Sequence, residues 1–144
     1  MVYIIDIDDT LTMPSQIAKP SNDAEWHELY KKARPNVMLI ERLKAQIEPD
    51  DTVIVCTGRK KKNKSVTEEW LLGIGIQYHI LMMRDNNDDR TAVDVKRDFY
   101  IKIANAIPKK LLLLIDDDNE VRDMARILKI SAIHPSKFTT KEII

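Results

Sequence analysis

Short blocks of continuous hydrophobicity recur along the chain: Tyr3-Ile4-Ile5, Val53-Ile54-Val55-Cys56 and Leu111 to Ile115. Each stops abruptly at polar or acidic residues. A strand covered on both faces has no reason to alternate, so such runs predict buried parallel strands. On this reading strands occupy residues 2–7, 52–57, 77–83, 111–115 and 130–133. The stretches between them carry apolar residues at three- and four-residue intervals, which predicts helices. One helix covers about Asp23–Lys32, capped by Asp23, with Trp26, Leu29 and Tyr30 on one face. A second runs from Pro35 to about Glu48, with Val37, Leu39, Ile40, Leu43 and Ile47 inward. A third spans Ser65 to Leu72, with Ser65 and Glu68 as a capping box, and Gly73 and Gly75 punctuate its exit. A fourth, Val93 to Ala106, turns Val95, Phe99, Ile103 and Ala106 inward. The last covers Glu120 to Leu128.

Strands alternating with helices predict an α/β fold, a Rossmann-like three-layer sandwich around a mainly parallel sheet. Residues 12–34 are polar and broken by Pro14 and Pro20, which marks them as a small cap or insertion over the first strand's end. A length of 144 residues fits one domain over 1–144 with a core of its own. The formal net charge is zero, so any argument for a polyanionic partner must be local. A lone cysteine, Cys56, excludes an internal disulfide framework and predicts a cytoplasmic protein, with Cys56 as strand packing. Neither a spanning apolar run nor a secretory leader is expected.

The chemistry gathers where the strands stop. In an open parallel sheet, ligands bind beyond the carboxyl ends of the strands. Here those ends read Asp6-Ile7-Asp8-Asp9-Thr10, Thr57-Gly58-Arg59, Arg84 and Asp116-Asp117, with Lys96 entering from the following helix. In an extended segment Asp6 and Asp8 share a face. Crowded carboxylates repel one another, and a hard cation such as Mg²⁺, which prefers oxygen ligands, removes that cost. Asp118 reads as a cap for the last helix, and the three histidines lack metal-ligand spacing. Arg59-Lys60-Lys61-Lys62-Asn63-Lys64 leaves the site's edge as a basic run, suited either to phosphates beyond the reacting one or to a solvated surface.

Taken in order, Asp6-x-Asp8-x-Thr10, Thr57-Gly58, Lys96 and Asp116-Asp117 resemble the four motifs of the haloacid dehalogenase-like hydrolase superfamily. Met83-Arg84, Arg90, Asp94-Val95-Lys96 and Ile115-Asp116-Asp117 are further similar to the 3′-phosphatase domain of phage polynucleotide kinase–phosphatase. Ala92 stands where that domain has an acidic residue, with Asp94 close by. The kinase half is not expected, because the chain's glycines (Gly58, Gly73 and Gly75) cannot write a phosphate-binding G-x-x-x-x-G-K-[ST] loop.

The resemblance implies a Mg²⁺-dependent phosphomonoesterase. Asp6 would be its nucleophile and Asp8 its general acid and base, with Thr57 and Lys96 on the phosphoryl charge. The metal would be held by Asp6, the Asp8 main-chain carbonyl, Asp116 and Asp117. Thr10, Gly58, Arg59, Arg84 and Arg90 would serve substrate binding, and the substrate would be the 3′-phosphate end of DNA or RNA. A nucleotidase or another small-molecule phosphatase is the alternative. A receiver-type signalling module fits less well, since its phosphoacceptor should end a third strand, where Met82-Met83-Arg84 stands.

Overall fold

The computed structural model describes residues 1–15 and 18–139; residues 16 and 17 of the expected insertion lie outside them. Five strands form one sheet: β1 (Val2–Ile5), β2 (Thr52–Lys60), β3 (Ile80–Arg84), β4 (Leu112–Ile115) and β5 (Ser131–Ile133). Their order is β3-β2-β1-β4-β5, and every pairing is parallel. Five helices connect them: α1 (Asp23–Lys31), α2 (Val37–Gln46), α3 (Lys64–Ile74), α4 (Ala92–Ala106) and α5 (Asn119–Ile127).

The continuous hydrophobicity of the strands is used on both faces. Tyr3, Ile5, Val53 and Val55 pack with Leu39, Leu43 and Leu71 of α2 and α3. Val2, Ile4, Ile54, Cys56, Leu112 and Leu114 pack on the other side with Tyr100, Ile103, Val121 and Met124 of α4 and α5. The sheet is thus the middle of three layers, as the unbroken apolar runs require. Its register aligns Ile5 with both Val55 and Ile115, so the next residues, Asp6, Cys56 and Asp116, come level at the carboxyl edge. Chain order reverses at β1: β2 and β3 build outward on one side, β4 and β5 on the other. A crevice forms where such a reversal occurs.

Several boundaries moved, each for a local reason. β1 ends at Ile5 rather than residue 7, because Ile7–Leu11 winds into a tight turn with Asp8 extended (φ −67°, ψ 127°) and Asp9 left-handed (φ 64°). Asp6 and Asp8 therefore do not share a strand face. Asn22, not Asp23, caps α1 by accepting from Glu25 N. Pro35 lies outside α2, bridged antiparallel to Thr12, and Asn36 caps that helix instead. α3 begins at Lys64 with no side-chain cap, so the capping box from Ser65 does not form. The third strand starts at Ile80 rather than 77, and β2 runs on to Lys60. On α4 the buried face is Val95, Lys96, Tyr100 and Ile103; Phe99 is half-buried and Ala106 exposed. Phe138 closes the core edge-on to Tyr3, with ring centroids 6.1 Å apart.

Gly73 and Gly75, alike in sequence, differ in the fold. Gly73 lies inside α3, where an added Cβ meets nothing within 4 Å, whereas Gly75 ends the helix at φ +75°. Gly73→Ala should therefore stabilise the protein by about 0.5–1 kcal/mol. Gly75→Ala should destabilise it by about 1–2 kcal/mol, because its left-handed backbone crowds a Cβ. Urea midpoints of the two variants, at unchanged m-value, check the opposite signs.

Candidate active site

The aligned strand ends deliver Asp6 and Asp116 side by side into a buried setting, 5% and 0% exposed. Lys96 reaches them from the first turns of α4. Its Nζ donates to Asp6 Oδ1 at 2.8 Å and to Asp116 Oδ2 at 2.7 Å. Burial alone would strip the ammonium of its proton, but the two carboxylates outweigh that and raise its pKa. The tight turn after β1 places Thr10, fully buried, beneath the same group. Its hydroxyl lies 3.0 Å from both Asp6 Oδ2 and Asp117 Oδ1, and it accepts from Asp117 N at 3.0 Å. One hydroxyl has one proton, so it cannot donate to both carboxylates at once. Burial, then the hydrogen bond and charge of Asp6, push the Asp117 carboxyl up to about 7. Burial and the Asp6 charge push Asp116 up to about 6, against the pull of Lys96.

Carboxylate oxygens of Asp6, Asp116 and Asp117 lie within 4.8 Å of one another. An all-oxygen trio of this kind fits a hard divalent cation. Four carboxylates face two cations, Lys96 and Arg59, leaving an excess of two negative charges when all are ionised. Asp8 stands apart from the trio. Its exposed carboxylate is gripped by Arg59 through two parallel bonds, Nε to Oδ2 at 3.0 Å and Nη2 to Oδ1 at 2.7 Å. Any metal role for Asp8 must therefore come from its main-chain carbonyl.

The residues expected to touch substrate divide in two. Thr57 is fully buried and its hydroxyl accepts from Arg59 N at 3.1 Å. Gly58 lines the cleft, and a Cβ there would meet Ala92 and Arg84 at an ordinary 3.5 Å. Arg59 is committed to the protein: besides Asp8 it donates to Thr67 Oγ1 at 3.1 Å, and its guanidinium lies 3.8 Å from the centroid of the Tyr30 ring. Burial, and after it the Asp8 charge, push the Tyr30 phenol up to about 12, so Tyr30 stays neutral beside that pair.

Arg84 lines the cleft, but its guanidinium donates to the main-chain carbonyls of Gly58, Asp88 and Arg90 and so holds the loop after β3 in place. Arg90 is turned toward Asp88 and Asp98 and does not line the cleft. Asp94 bonds Arg97 at the surface and does not take the place that Ala92 leaves without an acid. The basic run is likewise paired: Lys60 with Asp89, Lys61 with Asp85, Lys62 with Asp23. Burial raises the Cys56 thiol far above neutrality, which leaves it as packing.

The sequence reading set residues 12–34 over the first strand's end but did not anticipate a large cleft there. A cleft of about 870 Å³ opens from Asp6 and Asp8 toward α1, with Met13, Trp26, Leu29 and Tyr30 among its lining. The face of Trp26, Leu29 and Tyr30 read from their helical spacing is the one that lines it.

A parallel sheet with acid-tipped strands and a buried lysine at their ends is the arrangement of a haloacid dehalogenase-like phosphatase. Residues 1–136 match the family model for the polynucleotide kinase PNKP phosphatase domain, and the chain belongs to that family. It is similar to a chain of the Pnkp1/Rnl/Hen1 RNA repair complex, at 28% identity and a TM-score of 0.71 over 92% of its length. It spans 41% of that chain. Its fold is also that of a subfamily IA hydrolase of the superfamily from Geobacter sulfurreducens PCA, at 14% identity, TM-score 0.61, and 92% and 88% coverage of the two chains. The D,D-heptose 1,7-bisphosphate phosphatase from B. bronchiseptica, solved with magnesium and phosphate, gives 14%, 0.59, and 91% and 78%. No curated protein sequence matches the chain. Among the described residues no helix is long and apolar enough to cross a membrane.

Lys96→Met should unfold most easily at high pH. Asp116 has a higher pKa folded than unfolded, so the native state binds more protons and loses stability as pH rises toward 6 and beyond. Removing the neighbouring cation steepens that loss. At pH 7.5 without divalent metal the variant should be about 3–5 kcal/mol less stable than the parent. The deficit should shrink at pH 5, as urea titrations at both pH values would report.

Proposed function

We propose that this chain is a Mg²⁺-dependent polynucleotide 3′-phosphatase that works through an aspartyl-phosphate on Asp6. The observation that carries the reading is Asp6 itself: a carboxylate held between Lys96 and Thr10, lining an open cleft, with Asp116 and Asp117 beside it. Mg²⁺ fits the trio Asp6, Asp116 and Asp117, joined by the Asp8 carbonyl, and would supply neutralisation of the transferring phosphoryl group.

In the first step an Asp6 oxygen attacks phosphorus, the bond to the leaving alcohol breaks, and Asp8, which enters this step protonated on one oxygen while Arg59 keeps the other, gives that alcohol its proton. A water then attacks phosphorus, Asp8 takes its proton, and phosphate departs from Asp6. Lys96 keeps its charge through both steps because its raised pKa holds the proton, and Thr57 is the hydroxyl available to a phosphoryl oxygen. Arg59 orients Asp8, a positioning role in place of the direct substrate contact expected from sequence. Gly58 leaves its stretch of backbone open to a close approach.

Membership of the polynucleotide phosphatase family supports a nucleic-acid end as substrate, and the likeness to the RNA repair chain puts RNA among the candidates. The pairing of Lys60, Lys61 and Lys62 with acids favours one competing reading, a phosphatase of free nucleotides, because it weakens the case for a long track of phosphates. No kinase activity is proposed for these residues.

The test is phosphate release with Mg²⁺ from 3′- and 5′-phosphorylated DNA and RNA oligonucleotides and the matching mononucleotides. The 3′-phosphorylated oligonucleotides should be preferred, and Asp6→Asn should be inactive while folded. Better hydrolysis of mononucleotides would move the assignment to the competing reading, and an active Asp6→Asn would remove the mechanism. Cation binding should also depend on pH. Asp116 and Asp117, at about 6 and about 7, must both shed protons to ligate, so Mg²⁺ affinity should rise roughly a hundredfold from pH 5.5 to 7.5, measured by calorimetry.

A further inference from the structure

We infer that the cleft beneath α1 seats the terminal nucleoside of the substrate, with its base stacked on Trp26. This rests on the nucleic-acid phosphatase reading and assigns it a subsite. The cleft is continuous with the reacting centre, since Asp6 and Asp8 line the same space as Met13 and Trp26. At about 870 Å³ it is far larger than a phosphoryl group, so most of it must receive what the phosphate is attached to.

The chemistry of the walls selects the occupant. Trp26 is half-buried, and its indole lies 5.4 Å from the Tyr30 ring at an interplanar angle of 35°. Tyr30 is covered in turn by the Arg59 guanidinium, whose other edge grips Asp8. A column of flat groups therefore runs from the cap to the proposed acid and base. A planar base adds to such a column favourably, and stacking does not require one particular base. The rim carries both signs: Asp9, Glu25 and Glu28 line the cleft, and so do Lys32, which pairs with Glu28, and Arg34. A purely alkyl group makes no use of that polar rim. A nucleobase offers an apolar face together with N–H donors and ring acceptors at its edge.

The experiment compares kcat/KM for a 3′-phosphorylated oligonucleotide with that for the same oligonucleotide whose terminal residue is abasic. The wild-type chain should favour the base-bearing substrate by about ten- to a hundredfold. Trp26→Ala should collapse that ratio toward one, and Trp26→Phe, which keeps a ring, should restore most of it. A wild-type ratio near one, or a ratio that survives Trp26→Ala, overturns the subsite while leaving the phosphatase reading intact. Failure to act on either oligonucleotide, with glycerol 3-phosphate still hydrolysed, overturns the nucleic-acid reading and the subsite with it.

Discussion

The contact on which the rest depends is the buried ammonium of Lys96 between Asp6 and Asp116. Parallel register brings two carboxylates level at the sheet edge, and the apolar layers on either side deny them water. An isolated buried carboxylate is costly, and two together are worse. Lys96 offsets one charge completely and shares itself with the other; Thr10 and main-chain N–H groups satisfy what remains. Burial first, and after it the neighbouring Asp6, make Asp116 and Asp117 hold protons to unusually high pH. Three carboxylates gathered this closely fit a hard divalent cation.

Much of this was legible in the chain. Apolar runs such as Leu111 to Ile115 are too hydrophobic for any but a doubly covered strand, and all five strands and five helices appeared where such patterns placed them. The ordered motifs likewise located Asp6, Thr57, Lys96, Asp116 and Asp117 at one edge. Not legible were the partners of the surface and rim cations. Arg59 and Asp8 are 51 residues apart, Lys62 and Asp23 are 39, and no periodicity links such pairs. A cation next to a motif looks like a ligand for phosphate until an acid from a distant loop is found against it. Arg84 was hidden in another way, since its acceptors are main-chain carbonyls that carry no sequence signature.

Local boundaries failed for a related reason. Asn22 took the cap expected of Asp23, and Asn36 caps α2 where Pro35 was expected to begin it, because a helix start depends on where the chain arrives, and tertiary contacts decide that. Asn36 shows the link: its side chain accepts from Leu39 N to cap α2, while its amide donates to Thr10 O and its main-chain N–H to Leu11 O. One residue thus starts a helix and fixes the turn that carries Asp8, Asp9 and Thr10.

That same junction bears on how the cap can act. The insertion is pinched at its base by the Thr12–Pro35 bridge and by Met13 N donating to Arg34 O at 2.8 Å. Trp70 Nε1 bonds Ala33 O at the cap's exit, and Lys62 holds Asp23 near the start of α1. The last is a surface pair of little strength, but the buried Tyr30–Arg59 stack is not at the surface and ties α1 to the strand that carries Thr57. Tethers at the base, the exit and the middle of the insertion leave little room for α1 to swing as a rigid lid without breaking the grip of Arg59 on Asp8. Selection then has to come from the standing shape of the cleft and its flat-ringed wall, with the placement of Asp8 linked to the same column of side chains that meets the incoming group.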